Sequence, residues 1–127
     1  MRYPQLLIHE GDGRLAALLR EPARDAKWAL REPRRLAECL ELLARGGPAV
    51  LVLKLGRDLE RELTLLERVA RLCPGAAAVV VCDTEQAALA GLAWDLGARC
   101  VLPPAEARDD LAAVVAGLLA ADPSPAG

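Results

Sequence analysis

The sequence predicts a single α/β domain in which helices cover both faces of a five-stranded parallel sheet. Five short apolar runs alternate along the chain with five segments that carry apolar residues at helical spacing. The run Pro48–Leu55 is apolar except for Lys54, which is typical of a central strand buried on both faces. The chain has 127 residues, of which 54% are hydrophobic, so one domain with a substantial core is expected.

The first third of the chain predicts two strands around a short helix. Gln5–His9 is a short apolar run, and the glycines of the following Gly11-Asp12-Gly13 segment end it. Asp12 is expected to cap a helix over residues 14–20, which Pro22 should end. Lys27–Leu30 then predicts a weak strand at an edge of the sheet.

The middle of the chain predicts a helix, the central strand and a second helix. Pro33 suits the first turn of a helix that continues to Arg45, where Gly46 and Gly47 stop it. After the central strand, Asp58 is expected to cap a helix over Leu59–Leu72. Four residues predict the inward stripe of that helix: Leu59, Leu63, Leu66 and Val69.

The last third predicts two more strand–helix units. Ala77–Cys82 and Arg99–Leu102 are the strands, and Pro103-Pro104 ends the second. Thr84 is expected to cap a helix over residues 85–96, which Gly97 ends. The last helix should run over about 107–121 with Leu111, Val114 and Leu118 inward. Residues 1–121 are therefore expected to form the domain, and 122–127 a flexible tail.

Because strands and helices alternate at short intervals, right-handed crossovers and helices on both faces are expected. Five strands favour the flavodoxin-like order 2-1-3-4-5.

Composition argues against several classes of function. The formal net charge is −2 with both signs interleaved, so no basic stripe suggests a nucleic-acid partner. No apolar run approaches the roughly 20 residues that span a bilayer, and no signal peptide is evident, so a cytoplasmic location is expected. Four cysteines without CxxC spacing and a single histidine predict reduced, mostly buried thiols and argue against a zinc site or a disulfide framework. No metal and no cofactor are expected.

Four stretches resemble the receiver (CheY-like) domain of bacterial response regulators over nearly the whole chain. These are LLIHEG, GGPAVLVLKLG, VVVCDT and LGARCVLPP, in that order. The resemblance implies that a carboxylate at the end of the third strand accepts a phosphoryl group. It also implies that an acid pair after the first strand holds Mg²⁺, and that a hydroxyl and a lysine contact the phosphoryl oxygens.

At those positions this chain carries other residues, so the resemblance implies a degenerate pseudo-receiver. The acceptor position falls at Lys54, whose ammonium forms no acyl phosphate. The acid pair becomes His9 and Glu10, one carboxylate where Mg²⁺ needs several oxygen ligands. The hydroxyl position falls at Cys82, or at Thr84 if the register slips by two, and the lysine position at Pro103. An aromatic switch position falls at Cys100. Lys54 is expected to replace the metal as a resident cation by pairing with Glu10.

The alternative is a ligand site at the same edge of the sheet. The turn Gly11, Asp12 and Gly13 opens a helix, where backbone amides can hold a phosphate, although Asp12 competes for them. Asp83 and Thr84 follow the fourth strand at the edge where doubly wound folds bind ligands. A nucleophile–base pair of Cys82 and His9 is disfavoured, because an intervening strand would separate them by about 9–10 Å.

Two hypotheses follow. The first is a non-catalytic signalling module that binds proteins and is not phosphorylated through aspartate and Mg²⁺. The second is a flavodoxin-like domain that binds a small molecule or anion. A weak homodimer through the fourth helix, fifth strand and fifth helix is the expected partnership, because the fourth helix is rich in alanine. The interleaved arginines and glutamates of the second and third helices, Glu62 among them, are expected to form a solvated surface.

Overall fold

The computed structural model describes residues 3–82 and 87–120. Its strands are β1 (Gln5–His9), β2 (Ala29–Arg31), β3 (Ala49–Lys54), β4 (Ala76–Val81) and β5 (Cys100–Leu102). Its helices are α1 (Arg14–Ala26), α2 (Leu36–Leu43), α3 (Leu59–Leu72), α4 (Ala87–Asp95) and α5 (Pro104–Ala120). All strand pairs are parallel in the order β2-β1-β3-β4-β5, which confirms the predicted flavodoxin-like fold.

Strand β3 separates two hydrophobic cores. Its side chains alternate, so Leu51 and Leu53 pack toward α2, α3 and α4, whereas Val50 and Val52 pack toward α1 and α5. All four are 0% exposed. The continuous apolar run thus follows from burial on both faces of the sheet.

Helix α1 continues past the proline that was expected to end it. Pro22 lies inside the helix, which runs to Ala26 and ends at Lys27 with a left-handed φ of 62°. Proline removes one backbone hydrogen bond from a helix. Ala23 nevertheless extends the buried face formed by Ala16 and Leu19, so the helix keeps packing on the core beyond the proline.

The segment before α2 also differs from the prediction. Strand β2 begins at Ala29, two residues later than predicted, and α2 begins at Leu36. Pro33 therefore lies in the preceding loop, where it is buried and its carbonyl is 3.0 Å from the ring of His9. This tertiary contact places the proline before the helix and not in its first turn.

The buried face of α3 is rotated relative to the predicted stripe. Leu66 and Val69 face the core as expected, but Leu59 is 39% exposed and Glu62 is 2% exposed. Asp58 occupies the N-cap position without a capping bond from its side chain. Glu62 is buried and accepts hydrogen bonds from the backbone amides of Gly56 and Asp58, just before the helix, so its assignment to a solvated surface was wrong.

The C-terminal units follow the prediction with shifted boundaries. Helix α5 begins at Pro104, three residues earlier than expected, because proline is well tolerated in a first turn. Leu111 is buried as predicted, but Val115 and not Val114 is its fully buried companion. Gly97 ends the α4 segment at a φ of 113°. The predicted cap Thr84 and the predicted tail 122–127 lie outside the described residues.

Candidate functional site

The candidate site is the edge of the sheet where the parallel strands end. His9 is the last residue of β1, Lys54 the last of β3, and Cys82 follows β4. His9 pairs in register with Leu53, and Lys54 pairs with Val81. The C-terminal ends of strands β1, β3 and β4 therefore lie side by side at the same edge of the sheet. The topology therefore brings together the positions that the sequence singled out on the three central strands.

Lys54 pairs with Asp12 and not with Glu10. Its Nζ donates a hydrogen bond to Oδ2 of Asp12 at 3.2 Å, and the Lys54 side chain is 33% exposed. The predicted Lys54–Glu10 pair was wrong, because both oxygens of Glu10 are occupied elsewhere. The sequence therefore predicted correctly that Lys54 forms an ion pair at this edge, but the partner is Asp12 and not Glu10.

Two carboxylates hold the N-terminus of α1. The carboxylate of Glu10 accepts hydrogen bonds from the backbone N–H groups of Leu15 and Ala16, each at 2.8 Å. Oδ1 of Asp12 accepts a hydrogen bond from the backbone N–H of Arg14 at 3.1 Å. The N–H of Arg14, followed by Lys54, holds the pKa of the Asp12 carboxyl below its usual value. These are the amides that would otherwise bind an anionic ligand. The chain's own carboxylates thus occupy the turn that the alternative hypothesis requires.

Gly13 is the N-cap residue of α1, with a left-handed φ of 74° that suits glycine. Gly11 has a different role. A Cβ on Gly11 would lie 2.6 Å from Nη1 of Arg57, so the arginine side chain covers the backbone there. The β1–α1 and β3–α3 loops are therefore joined twice, by Lys54 with Asp12 and by Arg57 over Gly11.

Glu62 fixes the β3–α3 loop from inside α3. Its two carboxylate oxygens accept the amides of Gly56 at 2.9 Å and Asp58 at 3.3 Å. The sequence interpretation missed this residue. A usable signal was present, because Glu62 is spaced four and seven residues before Leu66 and Val69 and so shares their helix face.

His9 and Cys82 do not form a catalytic pair. Strand β3 lies between their strands, which supports the distance argument. Nδ1 of His9 lies 3.0 Å from the carbonyl of Pro33, and a carbonyl only accepts, so this nitrogen carries the proton. Cys82 is 4% exposed within the core under α2, α3 and α4. Both residues are thus engaged in structural contacts.

Among the remaining predicted positions, those that the structure describes are proline and cysteine residues, which bring no charged group to the edge. Pro103 follows β5, and its carbonyl accepts the amide of Ala107 at 2.9 Å. Asp83 and Thr84 lie outside the described residues. Cys39, Cys73 and Cys82 are buried and Cys100 is partly buried, as expected. Burial raises the pKa of the Cys39 thiol to about 12 and also raises the pKa of the thiols of Cys73 and Cys100.

The Mg²⁺ that the fold family implies does not fit this donor set. Mg²⁺ requires several oxygen ligands in octahedral geometry. Here Glu10 accepts two backbone amides, Asp12 is neutralised by Lys54, and an ammonium lies where a third carboxylate would be needed. In the described part of the chain, no three histidine, cysteine or acidic side chains are grouped to hold a metal ion.

Comparison with solved structures shows the same fold in receiver domains and in a pilus assembly-related protein. The signal receiver domain of an HD domain-containing protein from Pseudomonas fluorescens Pf-5 has a TM-score of 0.77 at 18% identity, covering 94% of this chain and 88% of its own. A pilus assembly-related protein from Burkholderia pseudomallei K96243 has a TM-score of 0.68 at 23% identity, covering 93% and 92%. The beryllofluoride-activated NtrC4 receiver domain dimer has a TM-score of 0.75 at 12% identity, covering 91% and 95%.

No protein-family model and no curated protein matches the chain. At these identities the likeness to solved structures shows the fold alone. No helix within residues 3–82 and 87–120 is long and apolar enough to cross a membrane. The chain therefore has the fold of a response-regulator receiver domain.

Proposed function

We propose that this chain is a pseudo-receiver, a non-catalytic signalling module that binds proteins and takes up no phosphoryl group by the carboxylate and Mg²⁺ route. The observation that carries the proposal is the ion pair between Lys54 and Asp12 at the end of β3. An ammonium cannot form an acyl phosphate, and its charge opposes the binding of a divalent cation at the same place.

The phosphorylation half of the proposal is tested with radiolabelled acetyl phosphate and Mg²⁺. The full chain should incorporate no label, while a receiver domain with an aspartate at the end of its third strand serves as the positive control. Stable label on an acid-labile, hydroxylamine-sensitive bond would overturn the proposal, because that lability identifies an acyl phosphate.

For the protein-binding half, the proposed partner is a second copy of this chain. Helix α4 carries no charged residue before Asp95, and it exposes Leu92 at 42% and Trp94 at 50%. A helix that is apolar all round is usually covered. The NtrC4 receiver, which has the same fold, was solved as a dimer. A weak homodimer through the face formed by α4, β5 and α5 would cover these side chains.

Sedimentation velocity of the wild-type chain should show a concentration-dependent dimer. Trp94→Glu should lower the dimer fraction at least tenfold, because it places a charge in an apolar contact. Tyr3→Glu is the matched control, since Tyr3 is 55% exposed and precedes β1, far along the sheet from β5. A monomer at all concentrations, or equal effects of the two variants, would contradict the dimer.

The second hypothesis, a small-molecule or anion site at Gly11–Gly13, has less support. Because Glu10 and Asp12 already accept the first amides of α1, an incoming anion would have to displace two carboxylates. Nucleotides and flavins should therefore leave the thermal unfolding midpoint unchanged. A saturable rise in that midpoint would favour the second hypothesis.

A further inference from the structure

The two loops that meet at the candidate site carry opposite charges. The β1–α1 loop, residues 10–13, contains two acidic residues and no basic one. Across from it, the end of β3 and the β3–α3 loop supply two cations, Lys54 and Arg57. The acidic residue of that second loop, Asp58, is already paired with Arg61 of α3 at 3.6 Å. The charges at the junction therefore attract the two loops to each other.

Two contacts join the loops directly. Nζ of Lys54 donates a hydrogen bond to Oδ2 of Asp12 at 3.2 Å, and Arg14 shares that carboxylate at 3.6 Å. The side chain of Arg57 lies over Gly11, so close that a Cβ added there would be 2.6 Å from Nη1 and 3.3 Å from Cδ and Cζ. Glycine allows this approach because it has no side chain. We call the Lys54–Asp12 pair and the Arg57–Gly11 contact together the loop clamp.

Each loop is bonded to its own helix by one carboxylate. Glu10 accepts hydrogen bonds from the backbone amides of Leu15 and Ala16, each at 2.8 Å. Glu62, which is 2% exposed, accepts hydrogen bonds from two amides of the β3–α3 loop at 2.9 and 3.3 Å. Because each loop is anchored internally, a displacement of one loop reaches the other through the loop clamp.

We propose that the loop clamp couples the β1–α1 and β3–α3 loops, so that they open and close as one unit and the edge keeps a single arrangement. The ladder between β1 and β3 ends at His9 and Leu53, and the loop clamp continues that connection beyond the sheet. A partner would then meet an edge that is already ordered, which lowers the entropic cost of binding. This inference rests on the proposed pseudo-receiver role, in which neither a phosphoryl group nor a metal orders these loops.

The loop clamp and the pseudo-receiver proposal fail separately. Covalent labelling by acetyl phosphate would overturn the pseudo-receiver role whether or not the two loops are coupled. Independent opening of the loops would overturn only the loop clamp, since the absence of labelling and the dimer through α4 do not depend on it.

The test is native-state hydrogen exchange of the isotopically labelled full chain, followed residue by residue with NMR. Opening of a loop exposes its hydrogen-bonded amides to exchange with solvent. The amides of Leu15 and Ala16 report on the β1–α1 loop, and those of Gly56 and Asp58 report on the β3–α3 loop. Each substitution is made in one loop and read at the amides of the other, which separates coupling from local effects.

Removing the ion pair should loosen both loops. Lys54→Met should speed exchange at the reporter amides of the β1–α1 loop about threefold, and Asp12→Asn should do the same for the β3–α3 loop. Asparagine keeps a side-chain oxygen for the amide of Arg14. The matched controls are Lys27→Met and Asp109→Asn, because both residues are exposed and form no ion pair with any residue that the structure describes. These controls should change the exchange rates less than about 1.5-fold.

The arginine contact is tested without changing any charge. The backbone of Gly11 lies outside the left-handed region, so alanine is compatible with its φ, but the new Cβ would displace the Arg57 guanidinium. Gly11→Ala should therefore speed exchange in the β3–α3 loop about twofold, and Arg57→Ala should speed exchange in the β1–α1 loop by a similar factor. In the Arg57→Ala background, Gly11→Ala should have no further effect, because the group that it displaces is absent.

Three outcomes would overturn the inference. They are faster exchange confined to the loop that carries the substitution, the same effect of Gly11→Ala with and without Arg57, and effects of the controls equal to those of Lys54→Met and Asp12→Asn. If a variant does not fold, urea-dependent exchange of the wild-type chain decides, because coupled loops must share one opening free energy and one urea dependence. Different urea dependences in the two loops would also contradict the loop clamp.

Discussion

At the level of single residues, Lys54 and the two carboxylates that follow β1 define the chemistry of the sheet edge. Glu10 binds helix amides and Asp12 binds both an amide and the ammonium of Lys54. Each charge is thus matched by a group of the same chain. That internal matching leaves these two carboxylates without the free oxygens that a divalent cation needs.

The contribution of Asp12 to stability should depend on pH. Its folded-state pKa is lowered from 3.8, so this contribution is fully present above that value and is lost as the pH falls through the lower folded value. Asp12→Asn should therefore lower the urea midpoint at pH 7, and the difference from wild type should shrink as the pH falls below 3.8. Asp109→Asn is the control, because Asp109 is exposed and forms no ion pair with any residue that the structure describes. A difference that stays constant down to low pH would contradict this linkage.

Glu62 should contribute more to stability than any exposed glutamate of the same helix. Glu62→Ala removes two hydrogen bonds between a carboxylate and backbone amides, at a cost of about 2 kcal/mol in the free energy of unfolding. Glu60→Ala, two residues earlier on the exposed side, should change it by less than about 0.5 kcal/mol. Urea unfolding measures both, and equal effects would mean that the buried carboxylate does not hold the loop.

At the level of elements, helix boundaries depend on what the neighbouring side chains contact. Helix α1 continues through Pro22, and Ala23 beyond it packs in the core. Pro33 lies outside α2, and its carbonyl contacts His9. Prolines and capping residues indicate where a helix would begin or end in an isolated segment of the chain. Tertiary packing adds contacts that these local signals do not include, so the observed boundaries differ from those expected from sequence.

The chain reversal after α4 requires glycine at position 97. A Cβ there would lie 2.5 Å from Cβ of Ala70, and φ is 113°. Gly97→Ala should therefore cost about 1–3 kcal/mol. Gly91→Ala is the matched control, since nothing lies within 4 Å of its Cβ and it is inside α4, so stability should rise by about 0.5–1 kcal/mol. Thermal unfolding of dilute samples compares them, and a neutral Gly97→Ala would show that α3 and α4 separate easily.

At the level of the whole molecule, one strand supports both layers. Every side chain of β3 up to Leu53 is buried, alternately in the two cores, and the strand ends at the candidate site. The position of Lys54 is therefore tied to the packing of both helix layers. A ligand that binds at this edge of the folded chain should therefore raise the thermal unfolding midpoint of the whole domain.

Divalent cations should not stabilise the wild-type chain. Addition of MgCl₂ should leave the thermal midpoint unchanged, because Lys54 neutralises Asp12. Lys54→Asp should be less stable than wild type without Mg²⁺, owing to repulsion from Asp12, and should be stabilised by Mg²⁺. Lys54→Asn is the control of similar shape without charge. An equal response of Asp and Asn variants to Mg²⁺ would contradict the role given to Lys54.

The sequence by itself determined the fold class, the strand order and the identity of the residues that end β1 and β3. It did so because hydrophobic periodicity and turn residues act locally, and because parallel crossovers allow few topologies. Only the tertiary structure decided that Lys54 pairs with Asp12 while Glu10 caps α1, and that Glu62 is buried. Those choices depend on distances of a few ångströms between loops that are far apart in sequence, and hydrogen bonding at that scale follows from how the helices pack on the sheet.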